Sequence, residues 1–125
     1  MVLFEQFIME DGIPIYQQII CHIKRGVVAG IIQNNDEMPS RRMLSALLGV
    51  NPNTVQKAYR MLEEEGLIVS RSGAKSYVEV NSGKVEQVRM ELLHQEIAGV
   101  IGAMKQMGMQ KEEAVSLIEE LWDEV

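Results

Sequence analysis

A chain of 125 residues has room for one ordinary domain, or for a small domain with an appended element. With 46% hydrophobic residues it can bury a core, and with only 5% aromatics that core must be aliphatic and methionine-filled. The net charge of −6 excludes a uniformly basic nucleic-acid coat, and the single cysteine, Cys21, excludes an internal disulfide and fits a reducing, cytoplasmic setting.

The first segment, MVLFEQFIMED, carries Glu5 and no basic flank, which makes it a poor secretory signal. After it, Pro14 suits the first position of a helix, and Tyr16, Ile19, Ile20, Ile23 and Val27 recur at helical spacing as far as Gly30. Asn34-Asn35-Asp36 reads as a turn, and Pro39 keeps Glu37-Met38 extended. Ser40 is the expected N-cap of a second helix running to Leu48, with Leu44, Leu47 and Leu48 inward and Gly49 as its left-handed end. Asn51 caps a third helix, Pro52 takes its first position and Gly66 ends it.

Two strand-like runs, Leu67–Ser70 and Ser76–Val80, flank Arg71-Ser72-Gly73-Ala74-Lys75, a β-hairpin with a basic tip. From about Gly83 the helical pattern returns. Val85, Val88, Leu92, Ile97, Val100, Ile101 and Met104 form a stripe that Gly108 breaks, and Ala114, Val115, Leu117, Ile118, Leu121, Trp122 and Val125 line a final helix. The apolar run 97–104 is too short to span a bilayer, so no membrane partner is expected.

Charge is partitioned along this order. Residues 81–125 carry four basic against nine acidic side chains, a net −5, whereas residues 38–77 carry six basic against three acidic, a net +3. The acidity belongs to the tail, and the middle of the chain is a candidate binding surface. Within it, Leu44, Ser45, Leu48, Gly49, Val50, Val55 and Ala58 occupy the positions that a helix-turn-helix buries.

Asn53, Thr54, Gln56, Lys57 and Arg60 project outward from the early turns of the third helix, about residues 52–65, the part that meets base edges in a major groove. Asn and Gln pair with adenine, Lys and Arg with guanine or phosphate, and Thr meets a thymine methyl. Ser40, Arg41 and Arg42 open the second helix, whose free amides attract phosphate. A salt bridge from these arginines to Asp36 or Glu37 is the structural alternative. Arg71, Gly73 and Lys75 in the wing, residues 71–76, are expected to touch minor groove or phosphate, while Tyr59 and Tyr77 fall on inward positions. Tyr16 has a lesser prospect of reaching a phosphate.

The runs Pro14-Ile15-Tyr16-Gln17-Gln18-Ile19, Met38-Pro39-Ser40-Arg41-Arg42, VNPNTVQKAYRMLEEEGLI and Ser76-Tyr77-Val78 resemble a GntR-family winged helix. The Asn-Pro-Asn-Thr-Val helix start and the short tail are similar to the YtrA-type subfamily. The resemblance implies a bacterial transcriptional regulator, usually a repressor, that binds an inverted-repeat (palindromic) operator in double-stranded DNA as a homodimer. It assigns DNA contacts to Ser40, Arg41 or Arg42, Asn53, Thr54, Gln56, Lys57, Arg60 and Gly73. This chain departs from the family pattern at Asn34-Asn35, often Pro-Gly, at Met43, commonly Glu, and at Lys75, often a second glycine.

The expected architecture is therefore mainly α with a small β-hairpin wing. A winged helix-turn-helix over 1–80 is followed by a two-helix dimerisation element over 81–125, too short to enclose an effector domain. Val88, Leu92, Ile97, Val100, Ile101, Met104, Leu117, Ile118, Leu121 and Trp122 are the expected dimer interface, since two apolar faces must bury against something. Met90, Met104, Met107 and Met109 read as core filling before they read as an effector pocket. Cys21, His22 and His94 lack ligand spacing, so no metal or cofactor is expected, and no nucleophile–base pair suggests an enzyme. The competing function is a winged-helix protein-interaction module that docks an acidic partner.

Overall fold

Pro14 stands at the N-cap of the first helix, one residue earlier than its expected place, and its carbonyl accepts the first helical bond from Gln18 at 3.2 Å. The computed structural model describes residues 1–73 and 75–125; Ala74, in the expected hairpin tip, lies outside the described residues. The order is α1 (Ile15–Val28), α2 (Arg41–Leu48), α3 (Pro52–Glu64), β1 (Ile68–Ser70), β2 (Ser76–Val78), α4 (Ser82–Gln106) and α5 (Lys111–Leu121). Contacts divide the chain into two compact units, Met1–Arg89 and Met90–Val125, with the boundary inside α4.

In the first unit α1 and α2 both pack on α3, and β1 and β2 form an antiparallel hairpin in the register Ile68 with Val78, Val69 with Tyr77 and Ser70 with Ser76. The capping chemistry matches its geometry. Ser40 Oγ accepts from the Met43 amide at 3.1 Å, and Asn51 Oδ1 accepts from Asn53 at 2.8 Å. Gly49 takes φ 66°, which an L side chain adopts only at a cost. Ser45 then closes the turn: its hydroxyl donates to the Val50 carbonyl at 2.6 Å while its own carbonyl accepts from Val50 N–H.

Ile19, Ile23, Val27, Leu44, Val55, Tyr59, Leu62, Leu67 and Val78 form the fully buried centre. Leu47, expected inward, is 62% exposed, and Leu48 and Val50 are only half-buried. An eight-residue helix has one buried stripe, and Leu44 and Ser45 take it, which turns Leu47 outward. Gly49 is likewise exposed, since it is the turn's backbone conformation and not burial that requires it. The N-terminal segment also packs down. Val2 and Phe4 are buried, Val2 N–H donates to the Glu37 carbonyl at 2.8 Å, and His22 Nε2 donates to the Leu3 carbonyl at 2.8 Å.

The second unit contains the end of α4, the turn at Gly108 (φ 80°) and α5. Its apolar side chains bound an open groove of about 690 Å³, lined among others by Ile97, Val100, Ile101, Met104, Val115 and Ile118. Among the described residues no helix is long and apolar enough to cross a membrane.

Tyr59 ties the two ends of the helix-turn-helix together. Its ring is fully buried and its hydroxyl donates to the Pro39 carbonyl at 2.6 Å, just ahead of α2. Burial pushes the phenol's pKa well above its ordinary value, and the nearby Arg41 guanidinium opposes this only partly. Replacing Tyr59 by Phe leaves that carbonyl without its donor, and urea denaturation is expected to lose about 1–2 kcal/mol. Because the fold favours the protonated phenol, its contribution is intact below the unfolded value of about 10 and declines as pH rises above it. The alkaline decline in wild-type stability should therefore be shallower in Tyr59→Phe.

Candidate nucleic-acid interface

Helix α3 separates its residues cleanly. Val55, Ala58, Tyr59 and Leu62, spaced i, i+3, i+4 and i+7, are all buried. Asn53, Gln56, Lys57 and Arg60, with the same spacing, are all exposed, and Thr54 beside them is half-buried. Four side chains able to donate hydrogen bonds thus share one stripe of a capped, rigid helix. That stripe is the geometry a major groove admits and the chemistry that base edges discriminate.

The carboxylates at the other end of α3 have defined work. Glu63 Oε1 accepts from Arg41 Nη2 at 2.8 Å, and Glu65 Oε1 accepts from Lys24 Nζ at 3.0 Å. Lys24 is buried, with 8% of its side chain exposed, so the Glu65 pair neutralises a charge taken out of water. Glu64 lies 3.8 Å from Arg60, an exposed contact of little energetic weight. The partners come from α1 and α2, distant in the chain, and leave no local signature in the sequence.

The two arginines that open α2 differ. Arg41 pairs with Glu63, not with Asp36 or Glu37, its guanidinium lies 4.9 Å from the Tyr59 ring centroid, and its Nε is buried without an acceptor. Arg42 is exposed, two residues after Ser40, whose hydroxyl caps the helix. Of the pair, Arg42 faces solvent and Arg41 serves the fold.

Two aromatic rings carry cations of this surface. Lys57 Nζ lies 3.9 Å from the Tyr16 ring centroid, which brings the start of α1 against α3, and Arg71 lies 4.9 Å from that of Tyr77. Tyr77, expected inward, is half-buried and serves as this platform. At the hairpin tip Gly73 takes φ 73° and is exposed, as are Arg71 and Lys75, the latter 3.8 Å from Glu37. Ser40, Arg42, Lys57, Arg60, Arg71 and Lys75 all belong to the first unit. Tyr16, marked in the sequence as a periodic helix position, backs Lys57, and Asn35, marked only as part of a turn, accepts from Arg71 Nη2 at 3.0 Å. Among the described residues no group of His, Cys, Asp and Glu could hold a metal ion.

The expected dimer residues fall into two sets. Val88 is 2% exposed within the chain itself, so its side chain has no face left for a partner. In the second unit Ile97, Val100, Ile101, Ile118, Leu121 and Trp122 are exposed, Trp122 by 74%, whereas Leu92, Met104 and Leu117 are half-buried.

Residues 15–78, from α1 to the end of β2, match the family model of bacterial regulatory proteins, gntR family. The HTH-type transcriptional repressor YtrA of Bacillus subtilis (strain 168) is 39% identical over 85 residues; the alignment spans 63% of this chain and 65% of that repressor, just under two thirds of its length. A GntR family transcriptional regulator from Listeria monocytogenes superposes with a TM-score of 0.76 at 31% identity, covering 90% of this chain and 98% of that one. YtrA from Sulfolobus acidocaldarius, a GntR-family transcription factor, does so with a TM-score of 0.55 at 31% identity over 94% and 95% of the two chains.

The contrast between the two arginines is measurable. Arg41→Ala removes a part-buried ion pair and a ring contact, and is expected to lower unfolding free energy by about 1–2 kcal/mol. Arg42→Ala is expected to stay within about 0.5 kcal/mol of the wild type. Thermal and urea denaturation of both variants checks this.

Proposed function

The chain belongs to the GntR family of bacterial regulatory proteins, in its YtrA-type branch, and from that premise we propose that it is a repressor binding an inverted-repeat operator as a homodimer. DNA binding and transcriptional regulation come with the family, and enzymatic activity does not. The repressor role rests on the likeness to the Bacillus protein of that name.

One observation carries the DNA reading in detail: Asn53, Gln56, Lys57 and Arg60 form a single exposed stripe while every carboxylate of α3 lies beyond it towards the C-terminus. In this reading the stripe enters the major groove, with Thr54 at its side. Ser40 and Arg42 bind phosphates at the start of α2, with Arg41 holding the α2–α3 pair in register. The wing residues Arg71, Gly73 and Lys75 lie against the adjacent backbone or minor groove. An operator on the chromosome places the protein in the cytoplasm.

The winged helix-turn-helix over 1–80 is the DNA-binding part, and 81–125 the dimerising part. Ile97, Val100, Ile101, Ile118, Leu121 and Trp122 are exposed apolar side chains on a short two-helix unit, and a second copy is the most economical cover for them. A two-fold axis through the tail presents two α3 stripes to half-sites one or a few helical turns apart, roughly 34 Å or a multiple.

Electrophoretic mobility shift against a palindromic duplex recovered from random DNA tests the proposal. Lys57→Ala is expected to weaken binding about tenfold with unchanged oligomeric state. Ile101→Glu is expected to sediment as a monomer and to bind the same duplex about a hundredfold more weakly, through lost avidity. An undiminished dimer would refute the tail's role, and wild-type affinity in Lys57→Ala would refute the placement of α3.

A further inference from the structure

Arg71 at the wing is held before any ligand arrives. Its Nη2 donates to Asn35 Oδ1 at 3.0 Å, and its guanidinium lies 4.9 Å from the Tyr77 ring centroid. Asn35 is itself fixed. It takes φ 72°, a left-handed conformation that asparagine tolerates better than most residues, and its N–H donates to the Val78 carbonyl at 2.8 Å. Its neighbour Asn34 accepts from Val80 N–H through Oδ1 at 2.9 Å. The acceptor that orients Arg71 therefore stands on a turn bonded to β2 and the residues just after it, and Tyr77 of β2 backs the same guanidinium.

A turn at this place needs only the backbone conformation, which glycine supplies most cheaply. The amide of Asn35 adds an acceptor aimed at a cation on another element, and the turn does not require it. A guanidinium has five N–H donors, and neither the single bond to Asn35 nor the ring face uses the remaining four. Arg71 stands two residues before Gly73, whose left-handed backbone makes the turn at the hairpin tip, and its side chain is exposed.

We propose that Asn35 is a positioning residue for DNA binding: it holds Arg71 against Tyr77 in the wing, with its remaining donors set to meet a phosphodiester of the duplex. The inference rests on the DNA-binding reading of the wing given above. Holding a long, rotamer-rich side chain ready removes an ordering cost that binding would otherwise bear, worth roughly three- to tenfold in affinity.

The test titrates the full chain, as wild type, Asn35→Gly, Arg71→Ala and the double variant, against the selected operator duplex and an unrelated duplex at several salt concentrations. Glycine retains the left-handed turn and removes only the side-chain acceptor. Asn35→Gly is expected to weaken binding to both duplexes roughly three- to tenfold with little change in thermal midpoint. Arg71→Ala is expected to weaken it further and to reduce the salt slope by about one, and the double variant should match Arg71→Ala alone. A loss from Asn35→Gly that persists in the Arg71→Ala background overturns the proposal, as does a loss confined to the operator duplex. Unchanged affinity in Arg71→Ala overturns it while leaving the regulator reading intact. A wild type that binds no duplex from a random pool overturns both.

Discussion

The structure depends on how the acidic end of α3 is tied to the two helices that cross it. Glu63 binds Arg41 of α2, Glu65 binds the buried Lys24 of α1, and Tyr59 between them reaches the carbonyl of Pro39. Carboxylates at a helix C-terminus oppose the macrodipole at a cost of about 0.3–1 kcal/mol each. The Glu65 side chain is 41% exposed, so its pair with the buried Lys24 falls between the exposed limit of about 1 kcal/mol and the buried limit of about 3 kcal/mol. Together with the Arg41–Glu63 pair this offsets the unfavourable dipole arrangement, and the chain gains a fixed angle between helices.

Fixing that angle decides what the opposite end of α3 presents. With the carboxylates occupied at one end, the exposed stripe Asn53, Gln56, Lys57 and Arg60 holds no acidic side chain. Tyr16 from α1 carries Lys57 on its ring, so the same packing that orients the helix also orients a cation on it. In the proposed reading, stability and recognition are divided between two ends of one thirteen-residue helix.

Much of this was legible in the sequence because the signals were local. Ser40, Gly49, Asn51-Pro52, Gly66 and Gly108 punctuate the helices where capping and backbone chemistry place them, and spacing alone separated Val55 and Ala58 from Gln56 and Lys57. What escaped depends on residues distant in the chain. Leu47 looked inward because it is apolar, yet a short helix had no second stripe to bury. Arg41 and Arg42 look alike in sequence, and only Glu63, twenty-two residues away, distinguishes them. Val2 and Phe4 gave no periodic signal at all, although both are buried.

The central claim is that the α3 stripe reads base sequence, and selection of bound duplexes from a random pool, run in parallel with the wild type and Gln56→Ala, tests it most directly. The account predicts an inverted repeat for the wild type, and for the variant the same repeat with relaxed preference at one symmetric pair of positions. Enrichment of an identical motif by both proteins, or of no motif by the wild type, would contradict it.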